Sequence, residues 1–140
     1  MLILDTDHMS LLEWGGKSSA ALRERMADID PEEVATTIIS YEEQMRGWMS
    51  YIARGKSIGQ QLEAYQRLRR HLENYRQIPV LEFDKAAVNE FQHLRSARIR
   101  IGTMDLKIAA IVLSRGATLL SRNLADFTKV PGLKVEDWAK

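Results

Sequence analysis

Two aspartates follow the first hydrophobic run of the sequence, which ends in Leu4-Asp5-Thr6-Asp7. The run from Leu2 to Leu4 predicts a short buried strand, so Asp5 lies at the C-terminal edge of that strand, where open α/β sheets bind ligands. Carboxylates at such an edge suit Mg²⁺ or Mn²⁺, because these hard cations prefer oxygen ligands. Both aspartates can also cap the helix that follows, and for Asp7 capping and metal binding stand as equal alternatives.

The segment after the second predicted strand, Val34 to Ile39, brings further acids to the same edge. A helix begins near Ser40, and only one of its first two glutamates, Glu42 or Glu43, can point towards Asp5. Ser40 as the N-cap with Glu43 at the third helical position also fits a capping box, which is a purely structural role. On this spacing alone, both the choice of glutamate and the choice between chemistry and capping stay open.

The C-terminal half adds acids at two more places. Asp105 falls in the first turn of an otherwise apolar helix, where burial makes a lone carboxylate costly and a bound cation would offset that cost. The fourth predicted strand ends in Ser121, Asn123 and Asp126, which offer hydroxyl, amide and carboxylate groups. Each acid alone has a helix-capping explanation, but acids that recur at one edge of a sheet are what a metal site requires.

Short β-like runs alternate with longer helical patterns along the chain. This alternation predicts a parallel sheet covered by helices on both faces. Strands are expected at Leu2–Leu4, Val34–Ile39, Ile78–Phe83 and Ala117–Leu120, with a short edge strand beginning at Val135.

Two amphipathic helices are predicted between the second and third strands, where apolar residues recur at helical spacing. The break between them contains Gly55 and Gly59, which would let the helices pack against each other as a hairpin. Asp84 is expected to cap a further helix, and Thr103 to cap a largely buried helix that ends before Gly116. These helices are the elements that must carry the acids to the edge of the sheet.

Composition narrows the class of protein. The chain has 140 residues, 45% of them hydrophobic, which suits one domain over residues 1–140 with a single core. It has 20 basic and 19 acidic residues, so any grip on nucleic acid must be local. The absence of cysteine excludes a disulfide framework, a thiolate zinc site and a cysteine nucleophile. No basic leader or long apolar stretch is evident, which favours a cytoplasmic protein with no membrane partner.

The order and spacing of these motifs resemble the PIN-domain ribonucleases of the VapC type over essentially the whole chain. That family opens with a hydrophobic strand into D-T-N, matched by Leu4 to Asp7. It continues with T-x-x-E-h-x-x-G, where h is apolar, matched by Ser40 to Gly47, and counting back from Gly47 selects Glu43. A third family acid precedes an apolar helix, as Asp105 does.

The family's closing motif is T-x-N-x-x-D-F, followed by a P-G-hydrophobic and E-D-W ending. Ser121 to Phe127 and Pro131 to Trp138 match these two pieces. The chain departs from the family pattern at four positions, namely Asp7 for Asn, Gln44 for an apolar residue, Ser121 for Thr, and Asn123 where many relatives carry Asp. Asp126 then becomes the candidate for the fourth acid.

The resemblance implies a three-layer α/β/α PIN-like domain with a central parallel sheet and an amphipathic helical hairpin. It implies a Mg²⁺- or Mn²⁺-dependent endoribonuclease, the toxin of a toxin–antitoxin pair, which forms a homodimer and is held inactive by a cognate antitoxin protein. Asp5, Glu43 and Asp105 are expected to hold metal, with Asp126 and Asn123 holding a second ion or its water. Ser121 is expected to orient a ligand or a phosphate.

Substrate binding is expected from basic residues around the acidic pocket, because carboxylates repel a phosphate backbone until a metal arrives. Any one of these residues taken singly is better explained as a solvated surface cation or an ion pair, so the expectation rests on the set. His8, next to Asp7, is interpreted as structural. Five basic residues lie near the motif acids in sequence: Arg46, Arg98, Arg100, Lys107 and Arg122.

Two other functions fit parts of the pattern. A hydrophobic strand into Asp5-x-Asp7 also begins phosphatases of the haloacid-dehalogenase kind, although the segment from Asn123 to Asp126 matches their paired-acid metal motif poorly. The second alternative is a catalytically inactive PIN-like module that binds RNA or protein. The sequence does not indicate which RNA a nuclease of this kind would cut.

Overall fold

The computed structural model describes residues 1–140 and contains one sheet of five parallel strands. The strand order is β3-β2-β1-β4-β5, so the first strand lies in the middle of the sheet. A central parallel strand is covered on both faces, which explains why the sequence of the first strand is uniformly apolar. The strands are β1 (Leu2–Leu4), β2 (Val34–Thr37), β3 (Val80–Leu81), β4 (Thr118–Leu120) and β5 (Lys134–Glu136).

Seven α-helices connect these strands, with one short 3₁₀ helix at Pro31–Glu33 before β2. Helices α3 and α4 form the predicted hairpin between β2 and β3, and helices α5 and α6 pack together between β3 and β4. None of the helices combines the length and apolar content needed to cross a bilayer. The helices are α1 (Thr6–Glu13), α2 (Lys17–Met26), α3 (Ile38–Ala53), α4 (Ile58–Arg76), α5 (Lys85–Ser96), α6 (Thr103–Arg115) and α7 (Leu124–Phe127).

The core is divided between the two faces of the sheet, because successive side chains of a strand point to opposite sides. Ile3 and Leu119 pack with the apolar residues of α5 and α6. Leu4 and Leu120 pack on the other face, among residues of α1, α2 and α4. The expected three-layer α/β/α architecture is therefore confirmed, with the helical hairpin included.

Three strands are shorter than the sequence predicts, β4 by only one residue at its start. The second strand ends at Thr37, because helix α3 begins at Ile38 and takes up the two isoleucines that read as strand residues. The third strand is reduced to Val80–Leu81 from the expected Ile78–Phe83. β-branched residues are compatible with either element, so the apolar run alone did not fix the boundary.

Of the helix caps considered at Ser40, Asp84 and Thr103, only Asp84 caps its helix. Thr37 caps α3, since its side chain accepts a hydrogen bond from the backbone N–H of Ser40, so the alternative of a capping box of Ser40 and Glu43 does not form. Helix α6 has Gly102 as its N-cap, and Thr103 is its first helical residue. Asp84 caps α5 as predicted. The shift at α3 matters for the site, because it removes the structural explanation for Glu43.

The position of the cap predicts a difference between two neighbouring polar residues. Thr37→Val, which keeps the shape and removes the hydroxyl, should destabilise the protein by about 1–2 kcal/mol because the start of α3 loses its cap. Ser40→Ala should cost less, because Ser40 lies within the helix, where alanine is the better helix former. Denaturant unfolding of the two variants measures this, and a larger loss for Ser40→Ala would contradict the observed start of α3.

Candidate active site

The strand order places a topological switch point, where α/β sheets commonly form a ligand cleft, at the C-terminal ends of β1 and β4. The chain runs from β1 to β2 and β3 on one side of β1, and then crosses to β4 and β5 on the other side. The connections after β1 and after β4 therefore lead to opposite sides of the sheet. Ligands of open α/β sheets bind at such a divergence. Asp5 follows β1 directly, and the segment from Ser121 to Asp126 follows β4.

Asp5 is the N-cap of α1 and is 6% exposed. Its Oδ1 accepts a hydrogen bond of 2.8 Å from the backbone N–H of His8. The capping role considered for Asp5 is therefore real, but it uses one of the two carboxylate oxygens. Capping and ligand binding are compatible at this residue.

The two glutamates at the start of α3 point in different directions. Glu43 is half-buried, and its Oε1 accepts a 2.7 Å hydrogen bond from the hydroxyl of Thr6. Glu42 instead forms an ion pair with Arg46, one helical turn further on. The structure thus brings Glu43 to the start of α1 beside Asp5 and leaves Glu42 among solvated charges.

Among the acids of the site, Asp105 is the one whose pKa is raised by its surroundings. Burial, followed by repulsion from Glu43, Asp5 and Asp126, raises the pKa of Asp105 from 3.8 to about 6. A hydrogen bond from Asn123 acts in the opposite direction and is weaker. The four acids named in the sequence therefore act on one another in the folded protein.

Asn123 connects the acids of the C-terminal half. Its amide nitrogen lies 3.5 Å from Asp105 Oδ2 and 3.1 Å from Asp126 Oδ2. Asp126 is also 3.3 Å from the ammonium of Lys129, and the hydrogen bonds from Asn123 and Lys129 lower the pKa of Asp126. Asp126 thus already has a positive partner, unlike Asp105.

Ser121 lies behind the turn that follows β4. Its side chain is fully buried, and its Oγ accepts the backbone N–H of Asn123 at 2.9 Å. The hydroxyl thus helps to fix the turn that carries Asn123. Of the two roles expected for Ser121, this position suits the orientation of a ligand such as Asn123 better than the orientation of a phosphate, and the role stays a prediction.

The structure places Asp7 and the predicted basic residues differently. Asp7 is exposed in the first turn of α1, with its Oδ2 3.5 Å from Arg122. Arg98 and Arg100 are exposed in the turn that leads into α6. Two of the five basic residues have other partners. Arg46 is paired with Glu42, and the ammonium of Lys107 lies 5.9 and 6.0 Å from the ring centres of Phe83 and Phe91.

Two polar residues beside the acids were not predicted to act there. Thr6 holds Glu43, and Gln44 donates to the backbone oxygen of Thr6 and to the hydroxyl of Ser10. Gln44 also accepts a hydrogen bond from Tyr75, whose pKa is raised by burial and by the nearby Glu13 and Glu43. Thr6 could have been found from the sequence, because it is the middle residue of the motif Asp5-Thr6-Asp7. Gln44 stood out only because the family pattern has an apolar residue at that position.

The chemistry of the donor set fits a divalent cation. All the groups are carboxylate or amide oxygens, and burial together with repulsion from the other acids raises the pKa of Asp105, as expected for an acid with no cation beside it. No three acidic or histidine side chains are spaced to hold one ion directly in this arrangement. Rotation of the side chains would have to bring the oxygens together, and the attraction of an ion would favour that rotation.

A family model matches most of the chain. The model described as PIN domain matches residues 2–133. The chain is also similar to proteins named tRNA(fMet)-specific endonuclease VapC, with 35% identity over 66 residues in the protein of Shigella flexneri and 34% over 65 residues in that of Salmonella typhimurium. The matched segments cover 44% of this chain and 50% and 49% of these proteins, so the chain spans about half the length of the curated relatives it matches.

Solved structures share the whole fold at lower sequence identity. The DNA-bound VapBC of Salmonella typhimurium superimposes with a TM-score of 0.78 and 23% identity, covering 98% of this chain and 97% of the other. VapBC-1 of nontypeable Haemophilus influenzae gives a TM-score of 0.76 and 23% identity, with 99% and 98% covered. At these identities the likeness shows the fold.

The raised pKa of Asp105 predicts that, in the absence of metal, the free energy of unfolding falls as the pH rises. Between about pH 4 and the folded-state pKa of about 6, the folded protein holds this proton more tightly than the unfolded chain does. The contribution of Asp105 to stability is therefore complete below the unfolded pKa and is lost as the pH rises through about 6. Asp105→Asn should remove this loss.

Thermal melts of wild type and Asp105→Asn in EDTA test the sign. The melting temperature of the variant relative to wild type should increase from about pH 4 to about pH 7, and Mn²⁺ should diminish the gain by stabilising the wild type. A difference that is constant with pH would contradict the described crowding at Asp105.

Proposed function

Because the chain belongs to the PIN-domain family, we propose that it is a metal-dependent endoribonuclease that hydrolyses RNA phosphodiester bonds, and that it acts as the toxin of a toxin–antitoxin pair. The observation that carries the proposal is the convergence of Asp5, Glu43 and Asp105 from separate elements, where burial and then repulsion from Glu43 and Asp5 raise the pKa of Asp105. A divalent cation is the partner that such a cleft favours. We also propose that the protein acts in the cytoplasm, because its proposed substrate is cellular RNA.

Asp5, Glu43 and Asp105 would hold Mg²⁺ or Mn²⁺, and Asp126 with Asn123 would bind a second ion or its water. When bound, such an ion lowers the pKa of a water molecule that attacks the phosphate and neutralises charge on the phosphate oxygens. Asp126 is the weaker ligand, because Lys129 already neutralises part of its charge.

The other residues of the cleft hold these carboxylates in place. Thr6 fixes one oxygen of Glu43, and Asn123 bridges Asp105 and Asp126. The pKa of about 6 keeps the carboxyl of Asp105 mostly ionised at neutral pH, so it can accept a cation without first losing a proton. Activity at more acidic pH would require that proton to be displaced.

The basic residues around the cleft are proposed to bind the RNA backbone. Arg98, Arg100 and Arg122 are the best placed, since they lie on the segments that carry Asp105 and Asn123. Arg46 and Lys107 are the weaker candidates, because one is paired with Glu42 and the other lies over two aromatic rings. Contacts of this kind position a phosphate chain and carry no sequence information.

The proposed partners are a cognate antitoxin and a second copy of the chain. Support for the antitoxin comes from the structural neighbours, which are described as VapBC complexes, toxin–antitoxin pairs, some bound to DNA. Helix α4 also exposes a line of large apolar residues that a protein partner would cover. These residues are Ile58, Leu62, Tyr65 and Leu72.

Membership of the PIN-domain family removes the support for a haloacid-dehalogenase-like phosphatase. A catalytically inactive PIN-like module remains the alternative, since the acids are not drawn together onto one point. Metal binding and cleavage distinguish the two, because an inactive module neither binds Mn²⁺ specifically nor cuts RNA. The curated relatives are named for cleavage of tRNA(fMet), so transfer RNA should be among the RNAs tested.

The first functional prediction concerns Asp5 and Asp105. Asp5→Asn and Asp105→Asn should each abolish cleavage of total cellular RNA in Mn²⁺, and each should reduce the rise in melting temperature that Mn²⁺ causes in wild type. The fold should be retained, because asparagine is as good an N-cap as aspartate and Asp105 lies at the edge of the cleft.

The chain offers a matched control in Asp84, which caps α5 with the same bond to the third residue that Asp5 makes in α1. Asp84→Asn should leave cleavage and the metal-induced shift unchanged. Full activity of Asp5→Asn in Mn²⁺, or a wild-type melt that does not respond to metal, would reject the assigned site.

The neighbouring glutamates of α3 provide the second functional prediction. Glu43→Gln should lower the rate of cleavage by orders of magnitude, because it removes charge from the cleft. Glu42→Gln should have almost no effect, because it removes only an exposed ion pair with Arg46. Single-turnover cleavage assays on both variants measure the difference, and the reverse order would mean that the helix presents Glu42 to the metal.

A further inference from the structure

His8 is the one histidine beside the acidic cleft, and its ring is fully buried. It lies in the first turn of α1, three residues after Asp5. Its Nδ1 is 3.3 Å from Asp5 Oδ1, and its Nε2 is 3.3 Å from the backbone nitrogen of Trp138. The ring therefore lies between a proposed metal ligand and the segment that follows β5.

The contact with Trp138 determines which nitrogen of the ring carries a proton. A backbone N–H can only donate, so Nε2 must offer a lone pair to it. In a neutral imidazole the proton is then on Nδ1, which makes no hydrogen bond in this arrangement and has Asp5 Oδ1 within reach at 3.3 Å. The carboxylate of Asp137, 3.9 Å from Nε2, already accepts the backbone N–H of Ala139. Asp5 and Asp137 are the only acids within 4 Å of the ring nitrogens.

The segment that holds Nε2 is itself held by α2. The guanidinium of Arg25 lies 4.4 Å from the ring centre of Trp138, and its Nη1 donates to the backbone oxygen of Asp137 at 3.3 Å. Trp138 is only 7% exposed. The backbone N–H that sets the tautomer of His8 is therefore fixed by contacts outside the cleft.

We propose that His8 is a positioning residue for Asp5, which it holds through Nδ1–H under the control of the C-terminal segment. The backbone N–H and Nδ1 of His8 both approach Oδ1 of Asp5, which would leave Oδ2 for a cation. The inference rests on the proposed function, because the benefit of a fixed Asp5 is metal binding. Partners behind a metal ligand commonly change metal affinity or activity about 10–100-fold when they are removed.

Three substitutions separate this role from simple packing. In His8→Asn the amide nitrogen can take the place of Nδ1, whereas in His8→Gln the side-chain amide reaches the position of Nε2 and the donor to Asp5 is lost. His8→Phe loses both contacts. Positioning predicts that Mn²⁺ affinity, measured by calorimetry, is largely retained in His8→Asn and falls about 10–100-fold in His8→Gln and His8→Phe.

A role limited to holding the C-terminal segment predicts the opposite order, with His8→Gln retained and His8→Asn impaired. His71→Gln is the matched control, since His71 is equally buried but pairs with Glu13 away from the cleft. It should lower the melting temperature in EDTA and leave Mn²⁺ affinity unchanged. In cleavage assays, His8→Gln should lower kcat at saturating RNA more than it changes KM.

Imidazole ¹⁵N NMR spectra of the metal-free wild type show which nitrogen of His8 carries the proton. This measurement does not depend on an activity assay, and it needs no substitution that could prevent folding. The spectra should show His8 protonated at Nδ1, and a proton on Nε2 would overturn the proposal. If wild type binds Mn²⁺ and His8→Gln and His8→Phe bind it equally well, the role of His8 is rejected and the proposed nuclease stands. If wild type binds no Mn²⁺, the nuclease and the purpose of the contact are rejected together.

Discussion

Like charges held at one edge of a small sheet are the constraint on which the rest of the structure depends. Asp5, Glu43 and Asp105 come from three elements, and the raised pKa of Asp105 records both their repulsion and their partial burial. Two unit charges about 4 Å apart interact by roughly 4 kcal/mol at an effective dielectric near 20, as an upper guide. The two cores, one on each face of the sheet, must hold the helices and strand ends in place against this repulsion.

Neutral donors, and not cations, hold the central carboxylates. Thr6 donates to Glu43, the backbone of His8 to Asp5, and Asn123 to Asp105. A neutral donor orients an acid without cancelling the charge that a divalent ion needs. The nearby cations are paired at the periphery, where Arg46 meets Glu42, Arg122 meets Asp7 and Lys129 meets Asp126. Cations therefore offset the charge of Glu42, Asp7 and, in part, Asp126, whereas Asp5, Glu43 and Asp105 keep the charge that a divalent ion favours.

Much of the fold could be predicted from the sequence, because it depends on local periodicity. The apolar run of β1, the hairpin of α3 and α4 and the cap at Asp84 follow from spacing and residue type, and the structure contains all three. The start of α3 could not be predicted in the same way. Ile38 and Ile39 suit a strand or a helix, and the choice depends on the hydroxyl of Thr37 accepting the N–H of Ser40.

The sequence by itself determined the chemical types available for a site, since acids follow three predicted strands and their spacing matches a PIN-domain pattern. Tertiary structure alone decided how those residues are used. It turned Glu43 towards Thr6 and Glu42 towards Arg46, and it buried Ser121 behind Asn123. It also brought His8 against Trp138, which is 130 residues away. The physical reason is that orientation and burial depend on contacts between distant segments, whereas periodicity and capping depend on neighbours along the chain.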